Sequence, residues 1–229
     1  MKNILIIGGS SGTGFAAANL LSQEHQVFAT YHSHPHENQP QLSFHRLNSL
    51  DENLSFDFLP DTIDALIYCP GSIQLKPFAR IPLSDFEQDY KLNVGGAIKT
   101  IQSVLPKLKK SSNASIILFS TVAVQTGMSF HSIVSTSKGA VEGLTRALAA
   151  EFAPTVRVNC IAPSLTDTPL ATILLQNEDK KLAAAQRHPM KRVGTANDLA
   201  QLVAFLVSDN SSWITGQIIH ADGGMGSIK

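Results

Sequence analysis

The sequence predicts one α/β domain built on a doubly wound parallel sheet, and three observations carry that prediction. Ile4-Leu5-Ile6-Ile7 reads as a short strand buried on both faces, as in parallel sheets. It runs into Gly8-Gly9-Ser10-Ser11-Gly12-Thr13-Gly14 and then an apolar pattern at helical spacing, Phe15, Ala16, Ala17, Leu20 and Leu21. Further strand-like and helix-like runs alternate along the rest of the chain, at crossover lengths that parallel strands require. At 229 residues and 43% hydrophobic content, the chain has enough core for a single domain, 1–229. A formal net charge of zero argues against a nucleic-acid or acidic-membrane partner. The first apolar run is too short for a signal peptide, and no stretch approaches the ~20 apolar residues of a membrane span. Cys69 and Cys160 stand alone, without metal or disulfide spacing, so a cytoplasmic location is expected.

Each element follows from its residues. The glycine turn delivers the chain to a helix N-terminus, where free N–H groups and the helix dipole favour phosphate. Gly8, Ser10, Ser11, Gly12, Thr13 and Gly14 therefore form a candidate nucleotide site, spaced Gly8-xxx-Gly12-x-Gly14. Residues 26–31 make a second strand, whose end would lie beside an adenosine ribose. An acidic residue there selects the free 2′-hydroxyl of NAD; this chain has Tyr31, His32 and Ser33, with no carboxylate until Glu37. That favours NADP(H) over NAD(H), with Ser10, Ser11, His32 and Ser33 as donors to a 2′-phosphate. His32, His34 and His36 alternate, but they read as a solvated loop and no metal site is expected. Residues 42–47 form a third strand ending at Asn48, whose amide is placed to read an adenine edge. Residues 64–68 form a fourth, stopped by Cys69-Pro70-Gly71.

Ser84-Asp85-Phe86-Glu87 has the pattern of a capping box. The helix it starts carries Phe86, Tyr90, Val94, Ile98 and Ile101 on one face. Asn93, a poor helix former, sits inside it as either an exposed amide or a break beside the active site. Residues 115–121 form a fifth strand ending in Ser120 and Thr121, at the sheet edge where ligands bind. Lys138 lies near the start of the next helix, which runs to about Phe152; a cation there opposes the dipole and suggests a ligand contact. Gly139, Gly143 and Ala147 form a stripe of small residues facing either the protein's own sheet or a second subunit. Residues 156–161 form a sixth strand, Pro163 ends it, and a Lys-rich helix over 174–187 follows. Residues 169–190 are expected to cover the carboxyl edge and to set substrate choice. Residues 196–207 give the last large helix and 217–220 the last strand.

In this order and spacing, these motifs resemble the short-chain dehydrogenase/reductase family over essentially the whole chain. The glycine spacing is the family's, with Ile7 where a threonine is usual. Asn93-Val94-Gly95-Gly96 matches its Asn-x-x-Gly motif, and Asn159 to Ser164 is similar to Asn-x-x-x-Pro-Gly, with serine for glycine. Tyr68-Cys69-Pro70-Gly71 stands where the family has Asn-Asn-Ala-Gly, only Gly71 matching. The ending, from Pro189 and Arg192-Val193-Gly194 through Ile214-Thr215-Gly216-Gln217 to Asp222-Gly223-Gly224, is also similar. The resemblance implies a seven-stranded Rossmann-like sheet of order 3-2-1-4-5-6-7 with helices on both faces. It implies hydride transfer between a nicotinamide and a small carbonyl or alcohol, in a homodimer or homotetramer. It implies that Lys138 binds the ribose, that Asn93 supports a water relaying protons to Lys138, and that Thr121 polarises the substrate oxygen. Gly71, Pro163, Thr166 and Thr168 would complete the cofactor site, Thr168 bonding the nicotinamide carboxamide.

The family's proton-donating tyrosine would stand four residues before Lys138, and that position is Val134. Valine has no proton to give, and a general acid is worth ~10²–10⁴ in rate. His131, three residues earlier, is a candidate replacement; Ser135 and Tyr68 are weaker ones. Two readings follow: an NADP(H)-dependent oxidoreductase with an atypical proton donor, or a catalytically weak or inactive dinucleotide-binding protein serving redox sensing or structure.

Overall fold

The structure, a computed structural model, describes residues 1–228. Its centre is β1 (Asn3–Ile7), in which Ile4 to Ile7 are all buried. Burying each such side chain stabilises by roughly 1.5–3 kcal/mol. Four of them outweigh the ~0.5–1 kcal/mol entropic cost of each glycine in the turn that follows. Along one direction lie β2 (Gln26–Tyr31) and β3 (Leu42–Arg46). Along the other lie β4 (Ala65–Tyr68), β5 (Ala114–Phe119), β6 (Val156–Pro163) and the last strand, β7 (Ile218–Ala221). All pairings are parallel, and the order is β3-β2-β1-β4-β5-β6-β7. The predicted sheet and its order are thus present.

The two-residue period of the strands divides the core into two layers. Leu5, Leu66, Ile116 and Val158 face one side, where α3 (Gly96–Leu108) and α5 (Ser132–Phe152) cover them with Val104, Leu108, Val141 and Phe152. Ile4, Ile6, Ile67 and Ile117 face the other, under α1 (Gly12–Leu21) and α7 (Ala196–Val207). No helix of the described residues is long and apolar enough to cross a membrane.

Several local expectations change. The helix α2 (Leu83–Tyr90) begins one residue before Ser84, with Pro82 as its N-cap and no side-chain cap, so the predicted capping box does not form. Proline fixes the entry angle in its place. The box that does form is Thr195 with Asp198 at the start of α7, and Arg192 grips the same carboxylate at 2.7 Å. The expected helix over 174–187 is divided: a 3₁₀ stretch covers Pro169–Leu175, and α6 spans Glu178–Gln186 with Asn177 as its cap. A short parallel pairing of Thr166–Asp167 with Gly194–Thr195 clamps the base of this segment. The remaining helix, α4 (Ala123–Thr126), is a single turn. The small-residue stripe faces outward: Gly143 and Ala147 are exposed, and a Cβ at Gly143 would touch nothing within 4 Å. It does not pack on the sheet.

Candidate active site

The dinucleotide end is built by the turn between β1 and α1. A Cβ at Gly14 would lie 2.3 Å from the Gly8 carbonyl oxygen, so only glycine lets the helix start so near the strand. Ser11 is the N-cap of α1, extended and without a side-chain cap bond. The first-turn N–H groups have no intrahelical partner and remain free for an anion. Gly12 brings its backbone against Thr168: a Cβ there would meet the Thr168 side chain at 3.4 Å. This turn, uncapped and at Gly14 too close for a side chain, fits a pyrophosphate.

The histidine loop is exposed, with His32, His34 and His36 all at the surface. His36 donates from Nε2 to the Ser10 carbonyl at 2.8 Å and stacks on Phe15, ring centroids 4.6 Å apart. His32 and Ser33 are exposed at the end of β2, bonded to each other at 3.1 Å, and Tyr31 pairs with Arg46 of β3. Asn48 bonds within its own turn: Nδ2 donates to Asp51 and Oδ1 accepts from the Leu50 N–H, an Asx turn.

Across the carboxyl edge lies a cavity of about 440 Å³. Thr13, Gly71, Thr121, His131, Val134, Lys138, Pro163, Thr166 and Thr168 all line it. Sequence reasoning proposed each of them, and folding brings them to one place. Asn93 stands behind Gly71, where a Cβ would lie 3.4 Å from both Asn93 Oδ1 and Lys138 Nζ. Residues 91–95 form a π-helical turn between α2 and α3, which turns the Asn93 amide inward; the residue is buried. Its Nδ2 donates to the Asp89 carbonyl at 2.9 Å, and its Oδ1 has no partner among the described residues. Ser120 also lines the cavity, and its hydroxyl donates to Glu142 at 2.7 Å.

Lys138 is 7% exposed. Burial holds its ammonium below the ordinary lysine range, opposed by the fields of Cys160, Asp89 and Cys69. Burial also pushes both thiols up to about 12, so they are neutral near pH 7. Tyr68 is buried away from the cavity. Its hydroxyl donates to the Leu92 carbonyl at 2.7 Å, and burial pushes it up to about 12. Gly96 makes room for that hydroxyl, since a Cβ would meet it at 2.2 Å. The glycine of Asn-x-x-Gly thus has a local steric reason in this chain.

Sequence reasoning missed three participants. Ser72 lines the cavity and donates to the buried Asp89 carboxyl. His188, 1% exposed, joins α6 to the end of β6: Nδ1 bonds the Ala184 carbonyl and Nε2 the Ser164 hydroxyl, both at 2.8 Å. The helical spacing of α2 offered a signal for Asp89, because it places that residue one turn before Asn93. Nothing in the sequence points to His188.

Residues 46–226, from the last residue of β3 to beyond β7, match the family model described as enoyl-(acyl carrier protein) reductase. The chain belongs to the short-chain dehydrogenase/reductase family. It is 39% identical over 164 residues to the tropinone reductase homolog At2g29290 of Arabidopsis thaliana, a match covering 71% of this chain and 63% of that protein. The match thus spans under two thirds of that relative's length. Among solved structures, a short chain dehydrogenase family protein from Francisella tularensis aligns with a TM-score of 0.87 at 25% identity, covering 98% of both chains. ElxO, solved with NADP bound, aligns at 0.85 and 25% identity, covering 98% of this chain and 99% of its own. The family fold implies binding of a pyridine dinucleotide. Asn93, Thr121 and Lys138 lie inside the matched residues, whereas the glycine turn lies before them.

Proposed function

We propose that the protein is an NADP(H)-dependent oxidoreductase acting on a small carbonyl or alcohol, with a proton donor other than the family's tyrosine. The observation that carries this reading is the convergence of Thr121, Lys138 and Thr168 on one cavity, with Asn93 directly behind it. When bound, the dinucleotide supplies or accepts the hydride. The chain's own groups bind and orient. Gly8, Ser10, Ser11, Gly12, Thr13 and Gly14 hold the pyrophosphate, the Lys138 ammonium holds the nicotinamide ribose, and Thr168 with Thr166 holds the carboxamide. Pro163 and Gly71 form walls, and Thr121 presents a hydroxyl to the substrate oxygen.

NADP(H) is favoured over NAD(H) by the absence of a carboxylate at Tyr31, His32 and Ser33, and by NADP in the structurally similar ElxO. Asn48, held in its own turn, keeps one amide N–H to offer the adenine edge. Residues 169–190 cover the substrate, and the His188 bridge fixes that cover to β6. A homodimer or homotetramer fits the exposed stripe of Gly143 and Ala147 on α5, and a cytoplasmic location fits the isolated cysteines.

Val134, at the position of the family's tyrosine, lines the cavity and is buried. That valine favours the second reading, a catalytically inactive NADP(H)-binding protein. His131 stands at the cavity rim with Nδ1 bonded to the Ser129 carbonyl at 2.8 Å, leaving Nε2 as one candidate acid. NADPH consumption over a panel of aldehydes, ketones and quinones separates the readings. Turnover above ~1 s⁻¹ is expected, whereas tight NADPH binding with no turnover on any substrate would establish the inactive protein.

A further inference from the structure

A carboxyl group is costly to bury unless something uses it. Asp89 is 2% exposed on α2, a helix whose other side chains are largely at the surface. An apolar residue would dock that helix at lower cost, so packing does not explain the carboxyl. Its Oδ1 accepts from the Ser72 hydroxyl, and its Oδ2 is buried with no partner among the described residues. The Asn93 amide is bonded to its backbone carbonyl, and the field of Asp89 acts on Lys138 of α5. The groups facing this cluster are Lys138 and Glu142 from α5, Cys160 from β6, and Cys69 and Ser72 from the turn after β4. Both thiols hold their protons, and the Glu142 carboxylate accepts from Ser120, so Asp89 is the acid bonded to Ser72. Ser72 in turn lines the cavity with Thr121, Val134 and Lys138.

We propose that Ser72 and Asp89 form the acid–base pair of the cavity, the Ser72 hydroxyl passing a proton between the substrate oxygen and the Asp89 carboxyl. This rests on the oxidoreductase reading above and supplies the donor that Val134 lacks. In alcohol oxidation the substrate O–H bond breaks and its proton goes to Ser72 Oγ, while the Ser72 proton goes to Asp89 Oδ1. The electron pair left on the substrate oxygen forms the carbonyl π bond as the hydride passes to the oxidised pyridine dinucleotide. Reduction runs the same path backward, with the protonated Asp89 carboxyl recharging Ser72. Ser72 is then a catalytic residue, and Asp89 acts through it. The direction of the observed bond, hydroxyl donating to carboxyl, is the one this step requires.

The test compares the unmodified protein with Ser72→Ala, Ser72→Thr, Asp89→Asn and His131→Ala, using NADPH or NADP⁺ and the best substrate of the panel. Ser72→Ala should lower kcat by about 100-fold or more, in the range of a lost general acid, with NADPH affinity unchanged by calorimetry. Ser72→Thr, which keeps the hydroxyl, should recover most of that loss. Asp89→Asn should also lower kcat, with NADPH affinity unchanged. In the ligand-free protein, the infrared carboxylate band absent from Asp89→Asn should shift in Ser72→Ala. The proposal is overturned if Ser72→Ala stays within about threefold of the unmodified protein, if His131→Ala alone carries the loss, or if the band does not move. An unmodified protein that binds NADPH but transfers no hydride overturns the oxidoreductase reading as well.

Discussion

The glycine turn and the covering segment lie on the same edge of the sheet and are built on opposite principles. In the turn nothing can be added: a Cβ would come within 2.3 Å of backbone at Gly14 and 2.8 Å of Ala29 at Gly9. Of the apolar side chains in residues 169–190, Ala171, Leu175 and Ala184 are buried as a small core packed with Leu165 and Val193, while Leu170, Ile173, Leu182 and Met190 are exposed. A surface that must fit one invariant ligand leaves no spare volume. On the proposed reading, residues 169–190 choose among substrates; they are held by a few ties, the pairing at their base and the His188 bridge.

The largest expected effect breaks the rigid side. Gly14→Ala forces α1 away from Gly8 and should cost about 3 kcal/mol of stability, the upper end for overpacking, with at least ~100-fold weaker NADPH binding by calorimetry. Gly96→Ala should cost about 2 kcal/mol on the same basis, because the new methyl meets the Tyr68 hydroxyl. Tyr68→Phe removes that oxygen, so the double variant should recover most of the loss in denaturant melts.

A smaller effect concerns the buried thiol of Cys160, on β6. Cys160 keeps its proton to about 12 when folded, against about 8.5 in an unfolded chain. A raised folded value gives stability that is complete below ~8.5 and lost as pH rises toward 12. By pH 9.5 the loss is about 1 kcal/mol from this thiol, and Cys160→Ala should flatten that part of the alkaline stability curve. Lys138, displaced the other way, contributes stability that increases with pH and partly offsets the slope. On the loose side, Leu182→Ala should stay within ~0.5 kcal/mol of the parent in stability, while changing KM more than kcat. A stability loss of several kcal/mol there would collapse the contrast between the two regions.

Much of this was legible from residue order. The aliphatic run of β1, the glycine spacing and the strand–helix alternation depend on local periodicity, which the chain carries openly. Lys138, Asn93 and Thr121 were legible because each breaks a local rule: a cation at a helix start, an amide in a helix, a hydroxyl at a strand end. The start of α2 was misread because Ser84 and Glu87 imitate a cap that Pro82 renders unnecessary. Asp89 and His188 stayed hidden because their meaning depends on Ser72 and Ser164, 17 and 24 residues away in the chain. Burial across such separations leaves no periodic trace.

The wide turn at 91–95 carries one more consequence. It adds backbone between α2 and α3, and each residue of a helix advances its side chains by ~100°. Deleting a single residue there would swing Ile101, Val104 and Leu108 off the sheet or carry Asn93 out of the cleft. A shortened chain would have to give up one of the two. The irregular turn is therefore a phase adjuster, letting a single continuous rod serve a greasy layer along one half and a reaction chamber along the other.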